Sequence, residues 1–545
     1  MIIDNNKGFK WFDKNNTITK GYFFYEGIFY KDNDLNDFCA EIEDYETLLD
    51  IVKRVNGFFS IVLYRGNETF AVVDRVRSFP IFFTSDGKSI SDSVETLKEK
   101  YNISTDDADE TVLCEIISCG YSQNNDTVFN MILQLAAGQI LRVNLNNIHL
   151  EYYYKHTHKY VDYKFEDVIE KISNISSNLF DRLIESLEGK TVILPLSGGY
   201  DSRYIAAMLK KKGYEKVICY TYGQIGSYEV ETSKSVAEIL GFEWHYIEYD
   251  EKVWDQLLDK DCISYGEYSH NYCTIPHFQD YPAIKKLIEM DKIPQNSVVV
   301  TGFCGDLPAG SFVLAKEDEN GLQYEMDWLV NYIFNEHYKF VKIPEFKVND
   351  IKKKIKKFLV DMNEELKDFE SFTSLYEAWF TNSRPIRWVV NSNRLYEING
   401  MEWRMPLWDN EFVDLFYSLR TEFRRNSFIY EKFLFNKLFI PLGIDFKKPS
   451  FVNSKPKIKY KSFKQRTRRF VYILLVRIAF ITGWSSWNYF DVNNYSKAAF
   501  LLHKQIKNKR LLDYKTINFH QMNAIWWSEK KYGSVKLRRI LYGNK

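Results

Sequence analysis

The sequence predicts an α+β domain of stacked antiparallel sheets, followed by an α/β domain on a doubly wound parallel sheet with a helical C-terminal part. Three observations predict it. Short β-rich runs crowd the first 155 residues. From about residue 165, strands alternate with amphipathic helices, as a parallel sheet with helical crossovers requires. At 545 residues the chain is also too long for one ordinary core.

In the first part, "YFFYEGIFY" (22–30), "GFFSIVLYR" (57–65), "TFAVVDR" (69–75) and "FPIFFTS" (79–85) read as strands broken by Gly, Asn and Asp. "YETLLDIVKRV" (45–55) and "SVETLKEKY" (93–101) read as helices, and "AAGQILRVNL" (136–145) as a closing strand. "FEDVIEKISNISSNLFDRLIESL" (165–187) places apolar residues at helical spacing. Strand "TVILPL" (191–196), helix 201–212, strand "KVICYTY" (216–222), helix 228–240, and strands "EWHYIEY" (243–249) and "SVVVTG" (297–302) follow. Residues 325–445 are mainly helical in pattern. "RFVYILLVRIAFITGW" (469–484) is too short to span a bilayer and carries Arg477; it reads as a buried or an interfacial helix. The resulting division is 1–155, 165–454 and a basic, mostly helical extension over 455–545.

Composition narrows the class. Hydrophobic residues make up 45% and charged residues 27%, a globular balance. Seven scattered Cys with no C-x-x-C pair argue against a disulfide framework, a zinc ribbon or an iron–sulfur site. With no apolar signal-like segment at the start, a cytoplasmic location is expected. Net charge is zero but uneven: residues 455–545 carry 21 Lys and Arg against three acids. That segment suits either docking on the acidic remainder or a peripheral contact with an anionic membrane face. No nucleic-acid partner is expected.

The chemistry concentrates at strand ends. In "PLSGGYDSRY", a strand runs through Ser197, Gly198 and Gly199 into a helix. The glycines permit close approach of an anion, the backbone N–H groups would face it, and the helix start adds its positive end. Asp201 beside phosphates makes sense as a Mg²⁺ ligand, and Ser202 as a donor to a phosphate oxygen. No G-x-x-x-x-G-K-[ST] is present, so this is not the loop of γ-phosphate transfer.

The run resembles the PP-loop of ATP pyrophosphatases, which cleave ATP between the α and β phosphates. Further segments resemble the asparagine synthetase branch. "VVVTGFCGDLPAGS" (298–311) is similar to that family's "SGEGADELFGG" loop. "NRLYEINGMEWRMPLWDNEFVDLF" (393–416) is similar to its "EVRVPFLD" segment, and "KKPSF" (447–451) to its R-x-K-x-x-F element. "VNGFFSIVLYRGNETFAVVDRVRSFPIFF" (55–83) and "DTVFNMILQLAAGQIL" (126–141) resemble its glutaminase domain. The likeness implies an Ntn-hydrolase-like first domain and a HUP-like PP-loop domain. It implies ATP contacts at Leu196, Ser197, Gly198, Gly199, Asp201, Ser202, Tyr222, Gly223, Glu229 and Gly302, and Mg²⁺ on Asp201 and Asp306. It implies catalytic roles for Lys448, Arg394 and Asp306, and substrate contacts at Arg404 and Asp409.

The departures matter as much. Ile2 stands where the glutaminase has its nucleophilic cysteine, and the "RGPD" and "NGEIYN" elements are missing. Glutamine hydrolysis by the usual route is not expected. Phe303 replaces the glutamate that handles the amine, and Leu307 a second acid. The expectation is therefore an ATP-dependent amide-forming ligase. It would adenylate a carboxylate, of a small molecule or of a surface glycan as the resemblance suggests, and transfer ammonia or an amine to it. Asparagine synthesis from free ammonia, an inactive ATP-binding scaffold and a tRNA-thiolating enzyme are the alternatives.

Overall fold

The computed structural model describes residues 1–145, 147–250, 252–314, 319, 321–448, 491–509 and 518–542. The helix expected over 469–484 lies outside the described residues.

A seven-stranded antiparallel sheet and a three-stranded one form the N-terminal domain. Their packing follows from side-chain alternation along each strand. In Asn56–Arg65, Ile61 and Leu63 face one way, into a core with Leu48 and Val52 of helix Tyr45–Arg54. Val62 faces the other way, into a core with Phe83 and Ile90 of the small sheet. The neighbouring strand Glu68–Val73 repeats the split, with Phe70 and Val72 on one side and Ala71 and Val73 on the other. The run 22–30 resolves into the hairpin Thr17–Tyr25 and Ile28–Lys31, turned by Glu26 and Gly27 at positive φ. The expected closing strand is Gln139–Asn144, but it does not close the sheet: Asn147–Tyr152 pairs outside it. Helix Glu110–Cys119, which the reading above lacks, is buried along almost its whole length and so shows little periodicity.

The second domain is built on five parallel strands in the order Glu243–Glu248, Val217–Gly223, Val192–Pro195, Val298–Val300, Glu402–Arg404. The chain starts at the central strand, runs outward to one edge, then returns to fill the other side. The switch falls between Val192–Pro195 and Val298–Val300, where a crevice opens beyond the strand ends. Helices Phe165–Leu187 and Tyr228–Leu240 have the bounds their periodicity indicates.

The C-terminal helices Tyr495–Gln505, Phe519–Tyr532 and Ser534–Tyr542 dock on this body. Met522, Ile525 and Trp527 are buried in its main core. Gly266 accommodates the Trp527 ring: a Cβ there would lie 2.3 Å from it. Lys531–Glu267 and Arg539–Glu110 pair basic tail with acidic body. Among the described residues, no helix is long and apolar enough to cross a membrane.

Candidate functional site

At the switch point lies a cleft of about 1040 Å³. Leu196, Ser197, Gly199, Asp201, Ser202, Tyr222, Glu229, Gly302, Asp306 and Lys448 all line it. Helix Tyr200–Lys211 opens at Gly199 with no side-chain cap, which leaves its first-turn amides to whatever enters. The loop amides before it, in contrast to the expectation of free donors, are engaged. Ser197 N–H donates to Ser202 Oγ at 3.1 Å, Gly199 N–H to Ser197 Oγ at 3.0 Å, and Gly198 N–H to the Glu229 carboxylate. A phosphate entering the loop would exchange with these side-chain oxygens. Glycine at 198 is required by space: a Cβ would sit 2.8 Å from the Tyr228 ring and 3.1 Å from Glu229 Oε2.

Two acids that follow different strands meet here. Asp306 N–H donates to Asp201 Oδ2 at 3.1 Å, and the Tyr430 hydroxyl donates to Asp201 Oδ1 at 2.8 Å. Gly302 and Gly305 allow the loop carrying Asp306 to lie against the helix start; Cβ atoms on them would come within 3.0 Å of Ser202 N and 2.3 Å of Leu407. Burial, and next the Asp306 charge, push the Asp201 carboxyl up to about 7, against the pull of Tyr430 and Lys448. Two carboxyl groups brought together in a buried cleft, one of them with its proton affinity raised by burial and by the other's charge, are a donor set suited to a hard divalent cation. Among the described residues, no group of three or more His, Cys, Asp or Glu is placed to hold a metal ion.

Lys448 brings a cation to the same cleft. Its N–H donates to the Tyr200 hydroxyl at 3.2 Å, and its Nζ lies 4.3 Å from the centre of the Tyr200 ring. Tyr200 is itself wedged between Phe435 and Phe439. On the opposite side, Tyr222 stacks on Tyr249 at 4.8 Å and receives a bond from Gln279. Gly223 adopts φ +144°, and its carbonyl accepts from Tyr246 Oη and Tyr249 N–H. Neither Gly223 nor Gly198, both expected as ATP contacts, is among the residues that line the cleft.

Three expected residues are elsewhere. Arg394 is buried at the seam with the N-terminal domain, donating to Ser78 O and pairing with Glu397 at 2.9 Å. It does not line the cleft, because its short helix Arg394–Ile398 turns this side chain toward Phe79 and Trp403. Arg404 is fully buried, holding Ser186 O at 2.7 Å and Glu402 at 2.9 Å. Asp409 caps helix Asn410–Ser418 and takes a two-pronged bond from Arg182 at 2.9 Å. The last two brace the strand Glu402–Arg404 and the domain seam rather than meet the cleft. Conversely, Tyr200, Tyr430, Glu431, Ser311, Asn426, Ser427, Val492 and Asn493 line the cleft without having been singled out. Tyr200 and Ser311 had a signal, since they lie in the runs "PLSGGYDSRY" and "VVVTGFCGDLPAGS" that were read for their neighbours. Asn426 and Ser427 both take φ +56°, unusual for non-glycine residues and costly unless held by their surroundings.

Comparison with known proteins bears on the same regions. Residues 188–442 match the family model described as asparagine synthase, and residues 43–154 match that described as glutamine amidotransferase domain. A segment of 91 residues is 29% identical to the tRNA-specific 2-thiouridylase MnmA of Bartonella henselae, covering 14% of this chain. The match spans only 22% of that protein's length.

Proposed function

We propose that this asparagine synthetase-like chain, with its glutamine amidotransferase-like N-terminal domain, uses ATP to adenylate a carboxylate and then joins it to ammonia or an amine. The observation that carries this is the contact of Asp306 N–H with Asp201 Oδ2 at the mouth of the Ser197–Ser202 loop. The contact sets two acids beside a diphosphate-sized cradle. Asp201 and Asp306 would hold Mg²⁺, which supplies charge neutralisation for a departing pyrophosphate. The uncapped start of helix Tyr200–Lys211 offers N–H donors to the phosphates, and Ser197 and Ser202 orient them. A carboxylate oxygen of the acceptor attacks the α-phosphorus, the bond to the bridging oxygen breaks, and pyrophosphate leaves facing Lys448. The amine nitrogen then attacks the acyl carbon, AMP departs, and the nitrogen loses its proton.

The described thiols favour an amine from solution over glutamine hydrolysis. Six of the seven are buried, the seventh, Cys304, is half-buried, and burial raises their pKa. The same inert thiols speak against sulfur transfer to RNA. On the acceptor side, Ser311, Asn426 and Ser427 offer neutral hydrogen-bonding groups beside the Phe303 ring. That lining suits a hydroxylated acid such as a sugar carboxylate. Aspartate would bring an α-ammonium and an α-carboxylate, and among the described residues Lys448 is the only cation in the cleft lining. The test is exchange of labelled pyrophosphate into ATP against a panel of uronates, hydroxy acids and aspartate. Exchange with a uronate, lost in Asp201→Ala, is expected; exchange with aspartate alone would overturn the acceptor class, and none with any carboxylate the reaction itself.

A further inference from the structure

We infer that the nucleoside end of the cleft is completed from outside the asparagine synthase match, by the segment Asp491–Asn494, with Val492 packing on the base and the Asn493 amide pairing with its edge. The inference rests on the ATP reading above and extends it to residues that no family match reaches, since that match ends at 442.

The geometry of the cleft orients the ligand. Its centre is the loop after Val192–Pro195, the diphosphate cradle. The side toward Val298–Val300 carries Phe303 and Asp306, where metal and acceptor belong. The nucleoside must therefore extend toward Val217–Gly223, and there the wall is made by Tyr222, Gln279, Val492 and Asn493.

The segment is built into that wall at several points. Gln224 N–H donates to Val492 O at 2.7 Å, and Gln224 Nε2 to Asp491 O at 2.9 Å. Trp254 Nε1 donates to Asn493 O at 2.9 Å, and Asn494 Nδ2 to Asp250 O at 2.8 Å. Asp491 caps helix Tyr495–Gln505 through the amides of Tyr495 and Ser496, both at 2.7 Å, so the docked helices anchor the segment from behind. Gly223 shows how closely it fits: a Cβ there would lie 3.0 Å from both Val492 Cγ1 and Val492 O. A purine needs an apolar surface for its face and a paired donor and acceptor for its edge. Val492 provides the first, and an asparagine amide carries both halves of the second.

The test separates base from phosphates. Binding of ATP and of inorganic pyrophosphate, each with Mg²⁺, is measured by calorimetry on the wild type, Asn493→Ala and Val492→Trp, the last filling the base position. The expected result is ATP Kd raised about tenfold or more in both variants with pyrophosphate Kd unchanged. Unchanged pyrophosphate binding also certifies that the loop is intact in the variants. ATP binding equal to wild type in both, or equal weakening of ATP and pyrophosphate, would overturn the inference while leaving the ATP reading standing. A wild type that binds pyrophosphate but not ATP would overturn both.

Discussion

Two enclosed spaces in this chain differ about a hundredfold. The cleft beyond the parallel sheet encloses about 1040 Å³, whereas Asn5, Trp11, Lys20, Phe79, Asp92 and Arg394, at the seam between the domains, enclose about 10 Å³. The first is at the roomy end of small-molecule sites, roughly 300–1,000 Å³. The second holds about one water. Both contain buried charge, so charge alone does not mark a site. In the seam, each charged group has a protein partner: Arg394 has Glu397 and Ser78 O, Lys20 has Asn5 O, and Asp92 has Trp11 and two backbone amides. In the cleft, Asp201, Asp306, Glu229 and Lys448 face common open volume.

The difference can be broken by substitution. Asp201→Ala or Asp306→Ala is expected to lower pyrophosphate exchange by at least about 10³-fold, since either would remove a proposed metal ligand. Arg394→Ala, in the seam, should leave exchange per folded molecule within about threefold while lowering stability by about 2–4 kcal/mol, read by urea unfolding. Equal loss of exchange in both classes would erase the distinction. A further buried pair lies behind the cleft: Arg424 pairs with Glu377, both fully buried, and donates to Pro308 O at 2.7 Å, two residues past Asp306. Arg424→Leu should cost about 3–5 kcal/mol by leaving the buried Glu377 with only the His158 imidazole at 3.1 Å as partner, visible as a drop in Tm.

Which parts were legible in the sequence follows the same division. Phe165–Leu187 and Tyr228–Leu240 were readable because one stripe of each meets the core and the rest meets water. That Asp201 and Asp306 share one cleft was readable because each follows a strand of a parallel sheet, whose carboxyl ends open on a common crevice. Arg394, Arg404 and Asp409 sit in a recognisable segment, but a motif fixes a position along the chain, not the direction of a side chain. Glu402–Arg404 is a strand of only three residues, and its edge place beside Val298–Val300 is set by tertiary pairing. The helical character of the C-terminal segment was legible, but where its helices dock was not, for a different reason. Their apolar partners, such as Trp254, Gly266 and Phe278, lie more than two hundred residues earlier.

Smaller effects sharpen the comparison. Lys448→Ala should lower exchange by about 10²-fold, as loss of one group that offsets charge on the leaving pyrophosphate. Tyr200→Phe keeps the ring under the ammonium and removes only the hydroxyl that receives the Lys448 amide; a loss of a few-fold is expected, and Tyr200→Leu should approach Lys448→Ala. In the seam, burial pulls the Lys20 ammonium down from 10.5 to about 8. The unfolded chain then binds this proton up to pH 10.5 and the folded one only to about 8, so stability from this group rises with pH across that window. Lys20→Met is expected to be more stable than wild type at pH 7, by about 1–3 kcal/mol, with the advantage gone near the upper end of the window. A destabilised Lys20→Met at pH 7 would mean that the seam needs the charge.

The account depends most on a metal held by Asp201 and Asp306 against a diphosphate. A crystal grown with Mn²⁺ and α,β-methylene-ATP measures this directly through the manganese anomalous signal. The predicted peak touches both carboxylates and two phosphate groups, with the Ser197–Ser202 loop around them. Manganese or nucleotide bound elsewhere, with this cleft unoccupied, would contradict it.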